Sequence, residues 1–392
     1  MIVDRKWVRR NIGFDPVERP APTNTFAFAK AAVTSDPDDL QREIIDFDSE
    51  SPEGLNFLAF TTATGLSRFN DIPWPKGLAP TTDKIIRKGK GGRLPTADVL
   101  VVTWTVDEGH ALSRVLTPGK DSRNDYVPYT RNFKQISKGM VPTCPARQAK
   151  RLGAYWTAKI GAKSVVVFKS DSHMSQDTKG APTPPADKIP NLLMWKQLIG
   201  DCQPKLVITT GTAGGIGKQF EVGDVVVSPV VNFFCEKAFK KLNNVSSSSV
   251  AANRKNFSKA RTLFKANADR LPPDNTRAPG VTVVAPGKLK ACVVTTDFFG
   301  FDTSDDHFGL QGHGDVSEMG DAIVGLLVNE TEAAKEPFPR FVAVRNVSDP
   351  QIKAEGGIRD QATVAAQIYK AFGRWSSVCS AIVCWALIAA EK

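Results

Sequence analysis

Two carboxylates stand where an apolar strand hands the chain to a loop or a helix. Asp349 closes RFVAVRNVSD, so its carboxyl should emerge at a strand end, and Glu108 follows the apolar run of ADVLVVTWTVDEGHAL at a helix start. Strand ends are where α/β sheets bind ligands. A carboxyl that is partly desolvated there can hold a proton near neutral pH, and an ionised one beside it can accept a proton. The plainer readings are an aspartate capping a loop and a first-turn glutamate favoured by the helix dipole. Asp107 is the rival to Glu108, but the extent of the apolar run favours Glu108.

Between them lies Leu206 to Pro229, LVITTGTAGGIGKQFEVGDVVVSP. Val207 and Ile208 have strand character. Gly211, Ala213, Gly214 and Gly215 then remove side-chain bulk, which predicts a glycine-rich turn whose backbone N–H groups can approach a ligand. Gly223 and Asp224 make the next turn, and Val225 to Val227 read as a second buried strand.

TTGTAGG followed by VGDVVVSP resembles the glycine-rich signature of the purine nucleoside phosphorylase and nucleosidase superfamily. By pattern it is nearest to the methylthioadenosine/S-adenosylhomocysteine nucleosidases. The resemblance spans about residues 98 to 392. It implies a three-layer α/β/α sandwich with a central mixed sheet, and cleavage of the N-glycosidic bond of a purine nucleoside to free base and sugar. Arg345, Ser348 and Asp349 match the superfamily's R-x-x-S-D, in which the aspartate bonds purine N7 and donates the leaving-group proton. Glu108 matches the glutamate that activates water. Thr212 matches a serine that contacts that water, and Arg345 is expected to orient it.

VSEMGDAIVG resembles the ribose-binding stretch, with Glu318 and Met319 matching. The superfamily's hydroxyl-binding glutamate is replaced by Gly320, and Asp321 or Glu318 is expected to take over. TTDFFGFD resembles the base-stacking loop, with Phe299 the better match and Phe298 beside it. Thr103 and Trp104 stand where the family has small residues, so the pocket wall has changed. Ala213 and Gly214 complete the expected binding set, with His173 and His313 placed near the pocket as lone histidines.

Phosphorylases of the superfamily grip phosphate with arginines, but Thr209 occupies one of those positions. No arginine-bearing glycine loop lies between residues 98 and 125. Loss of both anion clamps favours water as the nucleophile. Phosphorolysis, AMP cleavage helped by Lys237, Lys240, Lys241, Arg254 and Lys255, and a non-catalytic nucleoside sensor are the alternatives. No metal or organic cofactor is implied, because the chemistry is acid-base and electrostatic. The resemblance also implies a homo-oligomer.

The elements that must hold these residues are an alternation of strands and helices, which predicts a sheet covered on both faces. Hydrophobic residues at 41% and charged residues at 23% describe a globular chain of 392 residues, and a net charge of +10 favours an anionic partner or a merely basic surface. No nucleic-acid signature accompanies that charge. Six cysteines without CxxC pairs or metal-ligand spacing predict free core thiols in a reducing compartment. MIVDRKWVRRNIGF lacks an apolar leader and SAIVCWALIAA is too short to span a bilayer, so a cytoplasmic protein off the membrane is expected. Residues 1 to 97 are expected to form an extension of unknown role, packed on the main domain or on a second subunit. Insertions are expected near residues 117 to 155 and 236 to 275. Helices are expected near 252 to 270 and 360 to 390.

Overall fold

A computed structural model describes residues 1–12, 72–83, 86–120, 125–142, 144–174, 189–235, 245–246, 254–268, 277–284, 291–333 and 339–391. Along the chain run α1 (Arg5–Ile12), β1 (Val99–Thr103), α2 (Val106–Leu116), β2 (Val127–Tyr129), α3 (Phe133–Ile136), α4 (Pro145–Ala149), β3 (Gly153–Ile160) and β4 (Lys163–Ser170). Then come α5 (Pro190–Cys202), β5 (Leu206–Gly215), β6 (Val225–Ser228), β7 (Val230–Phe233), β8 (Val245–Ser246), α6 (Arg254–Ala268), β9 (Val281–Val283) and β10 (Val293–Thr295). The chain closes with β11 (Val316–Glu318), α7 (Asp321–Ala333), β12 (Arg340–Asp349) and α8 (Ile358–Ala390).

The strands form one mixed sheet of twelve in the order β2-β3-β4-β1-β5-β11-β10-β7-β8, with β12 joined to β5 and β6, and β9 to β6. Its middle, β4-β1-β5-β12, is parallel, so the ends of these strands emerge on one edge. Alternation along β1 separates two cores. Leu100 and Val102 face a cluster with Leu192 and Leu198 of α5 and Ala322 to Val324 of α7. Val99 and Val101 face another with Leu112 and Leu116 of α2, Phe264 of α6 and Ile382 to Ile388 of α8. This is the expected α/β/α sandwich with a mixed central sheet.

Two expectations change. The glycine-rich segment is not a turn: β5 runs straight through it, because Gly214 and Gly215 pair with Ser317 and Val316 of β11. The turn comes later, with Gly217 and Gly223 at positive φ. Within residues 117 to 155, where an insertion is expected, β2 and the start of β3 extend the sheet and Tyr129, Cys144 and Leu152 are buried in its core. Scattered apolar residues in a basic stretch hid that role. Lastly, Ala371–Ala390 of α8 is long and apolar enough for a membrane span by length and composition, and most of it is buried inside the protein.

The leading segment joins the main body wherever it is described. Trp74 packs on Trp385 of α8 at 4.5 Å between ring centroids, and the Trp385 indole N–H donates to the Leu78 carbonyl at 2.7 Å. Val3 bridges to Ile352, which also bridges to Thr303. The basic residues Lys237, Lys240 and Lys241 lie outside the described residues. Arg254–Ala268 realises the helix expected near 252 to 270. None of the six cysteines forms a disulfide, and all but Cys235 are buried.

Candidate active site

At the shared edge of β1, β5 and β12 a cleft of about 660 Å3, open mouth included, is lined by residues from all three strand ends. Glu108 and Asp349, far apart in sequence, both face it. So do Thr212, Ala213, Gly214, Phe299, Glu318, Met319, Arg345 and Ser348, together with Trp104 and His173.

Glu108 is held by five hydrogen bonds. Its Oε2 accepts from the Thr103 hydroxyl at 2.7 Å, Trp104 N–H at 3.1 Å and Thr105 N–H at 2.9 Å; its Oε1 accepts from Thr212 N–H at 2.7 Å and the Thr212 hydroxyl at 2.8 Å. Thr105 and Glu108 also form a reciprocal capping box at the start of α2, so the helix-start reading and the site reading are both realised. Burial opposes its charge. The nearby Arg345 guanidinium and the donors from Thr105, Thr103 and Thr212 outweigh that, leaving Glu108 below the ordinary carboxylate range. Gly211 is required here, since a Cβ in its place would run into the Glu108 carboxylate and come within 2.8 Å of Arg345.

Asp349 sits in the opposite electrostatic situation. It is buried, and among the hydrogen bonds to it is the Ser348 hydroxyl on Oδ1 at 2.6 Å. Burial raises its pKa to about 7 while that bond pulls it down. The β12 register against β5 shifts between Val347 and Asp349, which sets Asp349 opposite Gly214. A Cβ on Gly214 would stand 3.0 Å from Asp349 Oδ2.

Arg345 lines the cleft and is also a buried tie. Its Nε donates to Asp321 Oδ2 at 2.8 Å and its Nη2 to Asp321 Oδ1, with Glu318 Oε2 3.0 Å from the same nitrogen. Its Nη1 donates to the Thr212 carbonyl at 3.2 Å. Asp321, expected to grip a ligand, does not line the cleft: it is fully buried with both oxygens on Arg345. Glu318 lines the cleft, but its carboxylate caps α7. It accepts from Gly320 N–H at 2.6 Å, Asp321 N–H at 3.0 Å and the Thr295 hydroxyl. Burial and the Asp321 charge push its pKa up to about 8, against the pull of Arg345.

His173 lines the cleft 6.3 Å from the Trp104 ring, and burial lowers its pKa to about 4, so the imidazole is neutral. His313 is not among the cleft residues and packs against Phe234, the rings tilted by 43° with centroids 4.4 Å apart. Phe299 faces the cleft while Phe298 packs away from it on Phe308 at 5.8 Å. Thr296, Gly300, Ser317 and Tyr369 are lining residues that sequence reasoning did not find. A lone tyrosine among the buried alanines of α8 carries no signal of its own. Thr209 is buried, as β5 core. No group of three or more His, Cys, Asp or Glu able to hold a metal is present among the described residues.

The family model of the phosphorylase superfamily matches residues 130–387, more than half of the chain. The chain belongs to the phosphorylase superfamily. That match starts beyond β1, so Glu108 lies outside it. Solved structures of similar fold include the 5′-methylthioadenosine/S-adenosylhomocysteine nucleosidase of Neisseria meningitidis in complex with methylthio-immucillin-A. It is 15% identical with a TM-score of 0.46, over 75% of this chain and 100% of that one. The futalosine hydrolase of Helicobacter pylori is 13% identical with a TM-score of 0.45, over 74% and 96%. The 5′-methylthioadenosine/S-adenosylhomocysteine nucleosidase of Helicobacter pylori with butyl-thio-DADMe-Immucillin-A is 12% identical with a TM-score of 0.46, over 75% and 98%. No curated protein sequence matches the chain.

Proposed function

We propose that this phosphorylase-superfamily protein is a purine nucleosidase, hydrolysing the N-glycosidic bond of an adenine nucleoside or a 5′-modified relative. The observation that carries the reading is a buried carboxyl at about pH 7, Asp349, sharing one cleft with an ionised carboxylate, Glu108. Two carboxyls pushed apart in pKa divide the acid and base roles between them. Asp349 gives its proton to purine N7 as the C1′–N9 bond breaks, and the bonding pair leaves with the base. Water adds to C1′ and loses a proton to Glu108. Positive charge that develops on the sugar is offset by the Glu108 carboxylate. Phe299 stacks on the base and Ser348 holds Asp349 in place.

Water rather than phosphate is supported by the cleft's charges. Among the described residues its lining holds one guanidinium, Arg345, and no lysine, and that guanidinium is tied to Asp321 and Glu318. A dianion would meet carboxylates without a cation to receive it. The test is release of free adenine from adenosine, methylthioadenosine and AMP, with and without phosphate. Release that needs no phosphate supports hydrolysis, and release only with phosphate means a phosphorylase. One observation favours a second reading, a sensor that binds without turnover: five donors on Glu108 weaken it as a base. Binding with no adenine released would select it.

A further inference from the structure

The Glu108 end of the cleft, where the proposed hydrolysis holds the sugar, is walled by an aromatic ring. Trp104 is 4% exposed, and its backbone N–H donates to Glu108 Oε2 at 3.1 Å. Its indole lies so close to Gly320 that a Cβ there would stand 2.7 Å from the ring. Behind it, the Arg345 guanidinium carbon is 4.8 Å from the ring centre, a cation–π contact, and Trp195 meets it edge-on at 5.9 Å. The ring is therefore wedged from several sides, and any side chain at position 320 would have to displace it.

Two neighbouring hydroxyls on a sugar are two O–H donors that need acceptors when buried, and a carboxylate with both oxygens available meets that need best. Carboxylates stand in this end of the cleft and, with Asp321, behind its wall, but their oxygens are occupied. Asp321 spends both on Arg345. Glu318 receives Thr295, Gly320 and Asp321 donors and the Arg345 charge. Glu108 receives five donors. Besides these carboxylates the cleft is lined there by the indole, Met319, the bare backbone of Gly320 and the neutral imidazole of His173.

We propose that Trp104, seated on Gly320, makes the cleft select a purine 2′-deoxyribonucleoside over the matching ribonucleoside. A sugar with fewer hydroxyls leaves fewer donors unsatisfied against the ring. The inference rests on the nucleosidase reading for the direction in which the ligand lies. It also fits the chemistry of that reading. A 2′-hydroxyl withdraws electrons from C1′ and opposes the charge that builds there, so a 2′-deoxy bond breaks with less help from the base, here Glu108.

Isothermal titration of the full chain with 2′-deoxyadenosine and with adenosine tests it. Binding of 2′-deoxyadenosine at least threefold tighter is expected; a smaller ratio, a preference for adenosine, or no binding of either overturns the proposal. In the double variant Trp104→Ala with Gly320→Glu the ratio should move at least tenfold toward adenosine, and an unchanged ratio overturns the role of Trp104. Should that variant fail to fold, Trp104→Leu should move the ratio toward one, with the same reading of no change. Adenine release, measured separately, keeps the two ideas apart. Selective binding without release defeats the nucleosidase reading alone, while release with adenosine preferred defeats the sugar selectivity alone.

Discussion

Asp349 and the Arg345–Asp321–Glu318 cluster are both buried acidic regions at the same sheet edge, yet they are built to opposite ends. The cluster surrounds its charges with a bidentate guanidinium, a helix N-terminus and a threonine hydroxyl, so burial there yields a rigid tie between β12 and α7. Asp349 is described with a serine hydroxyl and no cation, so burial there raises its proton affinity to about pH 7. Desolvation beside a matched counter-charge makes a tie of Arg345 and Asp321, and desolvation without one raises Asp349; Glu318, which shares its guanidinium with the like-charged Asp321, is raised to about 8 inside the cluster.

Asp349→Asn attacks the acid side of that contrast. Adenine release should fall about 1000-fold or more, in line with the loss of general acid catalysis, while nucleoside binding measured by calorimetry stays within a few fold; near-wild-type turnover would refute the assignment. Arg345→Met attacks the scaffold side. It strands Asp321 and Glu318 as buried carboxylates, so urea unfolding should show a loss of about 3–5 kcal/mol, the range for breaking a buried pair by removing one partner. A loss near zero would mean that the cluster is no tie.

Glu108→Gln tests whether the five-donor carboxylate still works as a base. Turnover should drop about 100-fold, the low end for a general base, and an unchanged rate would move the water-activating role elsewhere. The pH dependence follows from Asp349. Its acid form is the active one, so turnover should decline as pH rises through about 7. Stability moves the same way. A carboxyl with its folded pKa raised above the unfolded value contributes fully below the unfolded pKa, and that contribution is lost as pH rises through about 7. Asp349→Asn should therefore lose less stability than wild type between pH 5 and pH 8. The smallest effect is expected from Ser348→Ala. Removing the bond that lowers the Asp349 pKa should shift the falling limb of the pH profile to higher pH, and a shift to lower pH would contradict the geometry.

Much of this arrangement was legible in the sequence because continuous apolar runs mark buried parallel strands. VLVVT and RFVAVRNVSD place Glu108 and Asp349 at strand ends without reference to anything distant. The glycines of TTGTAGG misled, since small residues suit a turn and a strand crowded by neighbours equally well, and only the pairing with β11 decides. Asp321 could not be assigned from its place next to Met319. Whether a carboxylate faces a ligand or an arginine two dozen residues away is set by tertiary packing, which no local pattern encodes. Trp104 announced itself as a bulky residue where small ones are usual, but its fit with Gly320 needed coordinates. The sheet membership of β2 and β3 was hidden for a simpler reason. β2 is a three-residue edge strand and β3 is buried along most of its length, so neither shows the alternation of a half-buried strand.

The pairing of Val3 with Ile352 has a practical consequence. Val3 N–H donates to the Gln351 carbonyl at 2.8 Å and Lys353 N–H to the Val3 carbonyl at 2.9 Å, while Ile352 N–H reaches the Asp302 carbonyl at 2.9 Å. The first few residues thus act as a splint on the loop that leaves Asp349. Trimming the protein to the span that resembles its relatives would discard that splint and leave the loop beyond Asp349 without its hydrogen bonds to Val3.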